Sequence, residues 1–360
     1  MSIDKIIIFI MAAFMIIGSL DKIFGNKYGM GKKFDEGFMS MGSLALSMLG
    51  AVSLAPVLAN ILKPMIVPIY TFLGADPSVF APTILANDMG GYSLAMELAG
   101  TEQIGLFSGL VIGAIMGPTF TFTIPVALSI IKREDHEYLA KGVLAGLIAV
   151  PIGCFVGGLV AYISPIVLLH NLFPIIIVAA LIGLGLYKIP DKIIKSFTIF
   201  GDMVMGIITF ATACIVFETL TGIVIIPGMN PIWDGIKTVG SISILLAGAF
   251  PMVYFIQKVF QKPMIKLGAY MGISHTSVAG LLASFAHSIP MFSMLQDMDK
   301  KGKIANVAFA VSGAFVFGSH LGFTAGVSKE MIVPVIIGKL VSGISAIIVS
   351  NLLFSKKQRR

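Results

Sequence analysis

The sequence predicts an all-α polytopic membrane protein of about nine crossing helices, two re-entrant broken hairpins and an inverted-topology repeat. Three observations lead there. Hydrophobic residues make up 57% of the 360-residue chain and charged residues only 12%, about half the charge that covers a soluble domain; the mean hydropathy is +0.97. The basic residues fall mainly on alternate loops. Two apolar stretches interrupted by proline and glycine recur at an offset of 198–200.

A span needs about 20 mostly apolar residues. Eight stretches meet that length: about 4–20, 37–59, 104–130, 139–163, 200–226, 238–257, 304–327 and 331–354. A ninth, 172–188, is shorter but uncharged up to Lys188. The two interrupted stretches are Pro64 to Gly100, with Pro68, Pro77, Pro82, Asp88 and the Gly90-Gly91 pair, and Pro263 to Gln296, with His275, His287 and Pro290. Proline and glycine break helices, and broken backbone at membrane depth survives only where protein buries it or a cavity bathes it.

Charge distribution tests whether the interrupted stretches cross. If only the nine clean segments cross, one side of the membrane receives Lys22, Lys27, Lys32 and Lys33, then Lys132, Arg133 and Lys141, then Lys188, Lys192 and Lys195. It also receives Lys258, Lys262, Lys266, Lys300, Lys301, Lys303 and the tail Lys356, Lys357, Arg359 and Arg360. The other side holds only Lys5, Lys63, Lys237 and Lys329, with Lys339 left inside a segment. Basic residues stay cytoplasmic, so the N-terminus is expected outside and the C-terminus inside. A full crossing by either interrupted stretch would destroy the asymmetry. The net charge of +7 is thus spread over short loops and a tail, which argues against nucleic-acid binding. Asp4-Lys5 is a weak start for a cleavable signal. Cys154 and Cys214 lie within apolar runs, suiting neither a disulfide framework nor a metal cluster.

The repeat is read from short matches in register. Met41-Gly42-Ser43-Leu44 faces Val239-Gly240-Ser241-Ile242, Lys63-Pro64-Met65-Ile66 faces Lys262-Pro263-Met264-Ile265, and Leu73-Gly74 faces Met271-Gly272. Residues 1–163 then form one half and 198–360 the other, joined by a helix within 164–197, all in a single transmembrane domain. An odd number of crossings between equivalent positions inverts the second half. Inverted repeats with interrupted helices in matching places are a secondary-transporter signature, with the substrate site near the midplane.

Polar residues at the interruptions are the site candidates. A carboxylate at bilayer centre costs on the order of 3 kcal/mol, so Asp88, beside Asn87, Gly90 and Gly91, either binds a cation or caps a helix at the hairpin tip. His287 and Ser288 hold the matching place in the second hairpin. Asp88 faces His287 at offset 199, and the two can pair, or His287 can take protons; a local carbonyl contact explains it equally well. His320 stands opposite the Gly117-Pro118 break with the same two readings. Tyr92, Phe285 and Phe292 are aromatics placed to attract an ammonium group, a contact of about 1–2 kcal/mol. Gly109, Gly113 and Gly117, like Gly142 with Gly146 and Gly153 with Gly157, are small-residue packing faces. Asp202 and Glu218, near helix ends, read as structural. No phosphate-binding loop, zinc spacing, nucleophile elbow or dinucleotide fingerprint is present, so no catalytic residue, metal or cofactor is assigned.

At these motifs the chain resembles the ethanolamine permease family (EutH). The resemblance runs nearly end to end, through Asp35-Glu36-Gly37-Phe38-Met39-Ser40-Met41-Gly42, Asp88-Met89-Gly90-Gly91, Met116-Gly117-Pro118-Thr119, Gly142-Val143-Leu144-Ala145-Gly146 and Pro151-Ile152-Gly153-Cys154. It continues through Gly240-Ser241-Ile242-Ser243, Ile289-Pro290-Met291-Phe292 and His320-Leu321-Gly322-Phe323. It implies uptake of ethanolamine across the inner membrane, with Asp88 for the ammonium and Asn87, His287, Ser288 or His320 for the hydroxyl. Three positions depart from the family pattern. Asn87 stands where a cysteine can stand, His287-Ser288 where two asparagines can, and Ser319 where an aspartate can, which makes Asp88 the more exclusive anion. A carrier for another small amine or polyol, or a membrane sensor without flux, is the alternative; the short loops argue against a sensor. The expected partners are ethanolamine, the lipid bilayer and, by analogy with other paired-hairpin carriers, further copies of the chain.

Overall fold

A computed structural model describes residues 3–354; the basic tail counted above lies outside the described residues. Every regular element is helical: α1 (Ile3–Ile23), α2 (Met30–Phe72), short α3 (Phe80–Ile84) and α4 (Gly91–Leu98), α5 (Glu102–Ile130), α6 (His136–Val160) and α7 (Pro165–Lys188). Then come α8 (Pro190–Thr221), α9 (Ile232–Met271), short α10 (His275–Ser284) and α11 (Ser288–Met294), α12 (Lys300–Ser312), α13 (Ser319–Val327) and α14 (Ile332–Phe354). Eight helices among the described residues are long and apolar enough to cross a membrane. Large apolar side chains stand outward on them, such as Phe72, Phe210 and Leu220, a surface suited to lipid rather than water. The chain is a multi-pass membrane protein.

Two expectations need correction. The clean segment 304–327 is not one helix but α12 and α13, parted at Gly313–Gly318, where Phe315 takes φ +62° and turns its backbone away from the helix path. Its N–H donates to the Ser284 carbonyl at 2.9 Å, and that of Phe317 to Phe285 at 3.0 Å, so bonds to a neighbouring segment replace the helical ones. Secondly, Pro64, Pro68 and Pro263 lie inside α2 and α9 and stop neither. The stops are Gly74 and Gly272, at φ +72° and +70°. A proline removes one bond from a long helix whose other bonds persist, whereas a left-handed residue ends it.

After each stop the chain forms a short broken pair whose two ends are tied by one carboxylate. Asp76 accepts from the N–H groups of Ser78 and Gly100, at 2.9 and 3.0 Å. Asp299 accepts from Ser274 N–H at 2.7 Å, the Ser277 hydroxyl at 2.7 Å and Gly302 N–H at 2.9 Å. Burial pushes the Asp299 carboxyl up, but these donors outweigh it and hold it below the ordinary carboxylate range. The two ends of each pair therefore lie side by side.

The long helices pack in two couples. α2 and α9 lie together, with α8 against α2 and α1 against α9; α6 and α14 form a second couple, with α12 against both. Glycines permit the closest crossings. A Cβ on Gly50 would lie 2.1 Å from the Ile208 carbonyl oxygen, and one on Gly248 would lie 2.2 Å from that of Met11. At the centre, a Cβ on Gly117 would lie 2.0 Å from the Leu85 oxygen, and one on Gly318 would lie 2.1 Å from that of Ala286. The expected ridge of Gly109, Gly113 and Gly117 thus seats the first broken pair, meeting Tyr92, Asn87 and Leu85 in turn.

These backbones cannot retreat without moving the tips. Gly117→Ala and Gly318→Ala are expected to destabilise by about 1–3 kcal/mol, and Gly42→Ala, which meets open space, to be neutral or to stabilise by up to ~1 kcal/mol. Thermal unfolding of the detergent-purified variants checks the contrast.

Candidate functional site

The first tip runs Asn87–Met89 in a single tight turn, reversed by Gly90 at φ +93° into α4. Asn87 is buried and receives the Asp88 N–H on Oδ1 at 3.0 Å. The Asp88 carboxylate caps neither that turn nor α4, so capping does not account for it. At the second tip, His287 Nδ1 accepts from Ile289 N–H at 3.2 Å and so caps α11. Asn87 Nδ2 and Ser288 Oγ are buried with no hydrogen-bond partner among the described residues.

Both tips face one cavity of about 420 Å³, and Asp88, Met89, His287, Ser319 and His320 line its floor. One wall is the stripe Ser40, Ser43, Leu44 and Ser47 of α2; the rest includes Leu246 and Phe250 of α9, Met205 of α8 and Pro118, Thr121 and Phe122 of α5. Phe315 stands between the histidines, 4.8 Å from the His287 ring and 4.9 Å from that of His320, with Phe122 5.5 Å away. A four-heavy-atom molecule occupies about as much space as four waters of ~30 Å³, so the cavity holds a small amine together with water.

A second cavity, of about 380 Å³, lies farther along the same elements, lined by Tyr92, Met96, Glu102, Leu106, Lys329 and Glu330. Leu106 and Pro118 are twelve residues apart on α5, roughly 18 Å at a helical rise. Tyr92 packs edge-on against Phe323 at 5.5 Å, and Phe323 is fully buried. Along α13, Phe323 lies between His320 of the first cavity and Ala325 of the second.

The sequence candidates are therefore partly gathered. Asp88, His287 and His320 line one cavity; Asn87, Gly90 and Ser288 build its tips. Tyr92 lies in the second cavity. Phe292 lines neither: Ser288, Met291 and Phe292 share the buried face of α11, and Phe292 packs in the core. Phe285 packs against Phe309 and Phe317. The cavity aromatics are Phe122, Phe250 and Phe315 instead.

Lys339 is the largest omission. It is 1% exposed, inside the apolar span of α14. Its Nζ donates to the Ala114 carbonyl at 2.5 Å and meets His320 Nδ1 at 3.0 Å. The Ala114 carbonyl would bond residue 118 in a regular helix, but Pro118 has no N–H; the ammonium fills that vacancy. It is also the opposite charge acting on Asp88. A lone lysine eight residues into an apolar helix cannot reach the surface easily, and that was the available signal. The serine stripe, with its helical spacing, was another.

A multi-pass helical protein with a charged cavity between broken helices belongs to the class of membrane transport proteins. The family described as "Ethanolamine utilisation protein, EutH" matches residues 3–353, and the chain belongs to that family. It is 57% identical over its full length to a Listeria monocytogenes protein named "Probable ethanolamine permease EutH", covering 96% of it. It is 45% identical to the Escherichia coli protein of the same name, over 99% of this chain and 97% of that one. A Bacillus subtilis protein, "Uncharacterized protein YxeR", is 53% identical over 96% of this chain and 94% of its own length. No solved structure matches the chain.

Accessibility checks the cavity. Cys154 and Cys214 are both buried, so labelling by a small maleimide starts from a low background. Ser43→Cys and Ser47→Cys are expected to label readily, and Phe292→Cys to stay unlabelled in the folded protein, as read by mass shift.

Proposed function

We propose that this protein carries ethanolamine, as the protonated amine, across the cytoplasmic membrane by alternating access. The observation that bears the most weight is Asp88: an uncapped carboxylate at a backbone break, on the floor of the cavity that both tips line. Asp88 pairs with the ammonium, the rings of Phe122 and Phe315 flank it, and Ser319, His287 or the serines of α2 hydrogen-bond the hydroxyl. Family membership and the naming of the Listeria and Escherichia relatives as ethanolamine permeases support the substrate.

The two broken pairs are re-entrant hairpins in an inverted repeat. Their tied ends, the matched order of elements and the twin contacts of Gly117 with Leu85 and Gly318 with Ala286 support this reading. Residues 1–163 and 198–360 are then the two halves, and α12 with α13 crosses as one interrupted span. The asymmetry of basic loops sets the N-terminus outside and the C-terminus in the cytoplasm, and the cavity floored by Asp88 opens inward. Movement of the hairpins against α2 and α9 exposes Asp88 to the cavity of Tyr92 and Glu102 in the other state.

The test is labelled ethanolamine counterflow in proteoliposomes, which needs no driving force. Exchange competed by unlabelled ethanolamine is expected. Truncating one partner of a buried charge pair costs about 2–5 kcal/mol, so Asp88→Asn should bind about thirtyfold or more weakly and exchange correspondingly little. Unchanged affinity in that variant would remove Asp88 from the site, and saturable binding without exchange would favour a sensor.

A further inference from the structure

The Lys339 ammonium has no place in the binding step just described, yet it sits behind it. Its neighbours are defined on every packed element. His320 of α13 meets it directly, while Asp88 of the first tip and Cys154 of α6 act on it through space, with His287 in turn acting on His320. Among the described residues, α1 and α12 present no charged group that acts on it. Lys339 and Asp88 thus carry opposite charges in one site, and the His320 ring that Lys339 meets lines the same cavity as Asp88. The Lys339–His320 contact of 3.0 Å is a proton path as it stands.

An ammonium substrate at Asp88 changes that balance. Two cations would then share one carboxylate in a medium where an uncompensated charge costs several kcal/mol. We infer that Lys339 is the proton-coupling group of the carrier, holding a proton while Asp88 is empty and releasing it through His320 when an ammonium pairs with Asp88. This rests on the ethanolamine reading above. The transfer balances: a Lys339 Nζ–H bond breaks and His320 Nδ1 gains that proton. The opposite ring nitrogen gives one to cavity water, leaving neutral Lys339 and neutral His320. Asp88 stays an anion throughout.

The consequence is electroneutral exchange. With the substrate absent, Lys339 as ammonium offsets Asp88; with it bound, the substrate does. The core carries zero net charge in both states, so both can reorient across a low-dielectric layer, whereas the doubly occupied and doubly vacant states cannot do so cheaply. One amine cation then moves against one proton.

Proton release on binding tests this with purified full-length protein. Ethanolamine titrated into weakly buffered, detergent-solubilised protein with a pH indicator should release about one proton per amine bound. Lys339→Met and Lys339→Gln should bind the amine at least as tightly and release none. In proteoliposomes of the wild type, uptake should follow an outward proton gradient and ignore an imposed potassium potential, and in the lysine variants it should follow the potential. Binding without proton release in the wild type would overturn the inference while sparing the ethanolamine reading. Release that persists in folded lysine variants would overturn it too, and would make the carried species the neutral amine, because the proton would then come from the amine. No binding at all would remove both. The wild-type release and gradient measurements decide the matter even where a lysine variant fails to fold.

Discussion

Backbone that breaks inside a bilayer has no water to bond, and every N–H and carbonyl left over must find protein. That constraint organises the centre of this molecule. Pro118 leaves the Ala114 carbonyl without its helical donor, and the Lys339 ammonium supplies one. The turn at Phe315 takes its N–H out of its helix, and the Ser284 carbonyl of the second tip accepts it. His287 supplies an acceptor for the start of α11. Glycines at 117 and 318 let the tip carbonyls come close enough for the parts to meet. The same arrangement that satisfies the breaks also brings Asp88, Lys339, His320 and His287 around one small volume.

The chemistry of the site follows from its charges. A buried carboxylate alone would be expensive, and Lys339 lowers that expense while making Asp88 harder for a second cation to claim. A carrier needs that compromise: binding strong enough to select an ammonium from water, yet reversible on the far side. Tyr92 and Phe323 pack edge-on beside the second cavity.

Much of this was legible in the sequence, though unevenly. Length and apolarity located the long spans, and the offset between halves found Gly74 with Gly272, which are the residues that end α2 and α9. Asp88, His287 and His320 were visible because polar groups beside helix breaks are costly. Proline was the misleading signal: its cost is local, and α2 and α9 run through Pro64 and Pro263. The break at Gly313–Gly318 was hidden because 304–327 holds no proline and no charged residue, and its interruption is stabilised by carbonyls just over thirty residues earlier. Phe292 shared a segment with the tip, but one helical turn carried it into the core. Lys339 was passed over as a stray charge, since its partners come from residues 114 and 320 and no local pattern announces them.

The central claim is that the ammonium rests on Asp88 at the meeting point of the two tips. A cryo-electron microscopy structure of the protein saturated with ethanolamine tests that most directly. The account predicts density for the amine within about 3 Å of the Asp88 carboxylate, between Phe122 and Phe315. Density seated instead beside Tyr92 and Glu102, with the cavity at Asp88 holding only water, would contradict it.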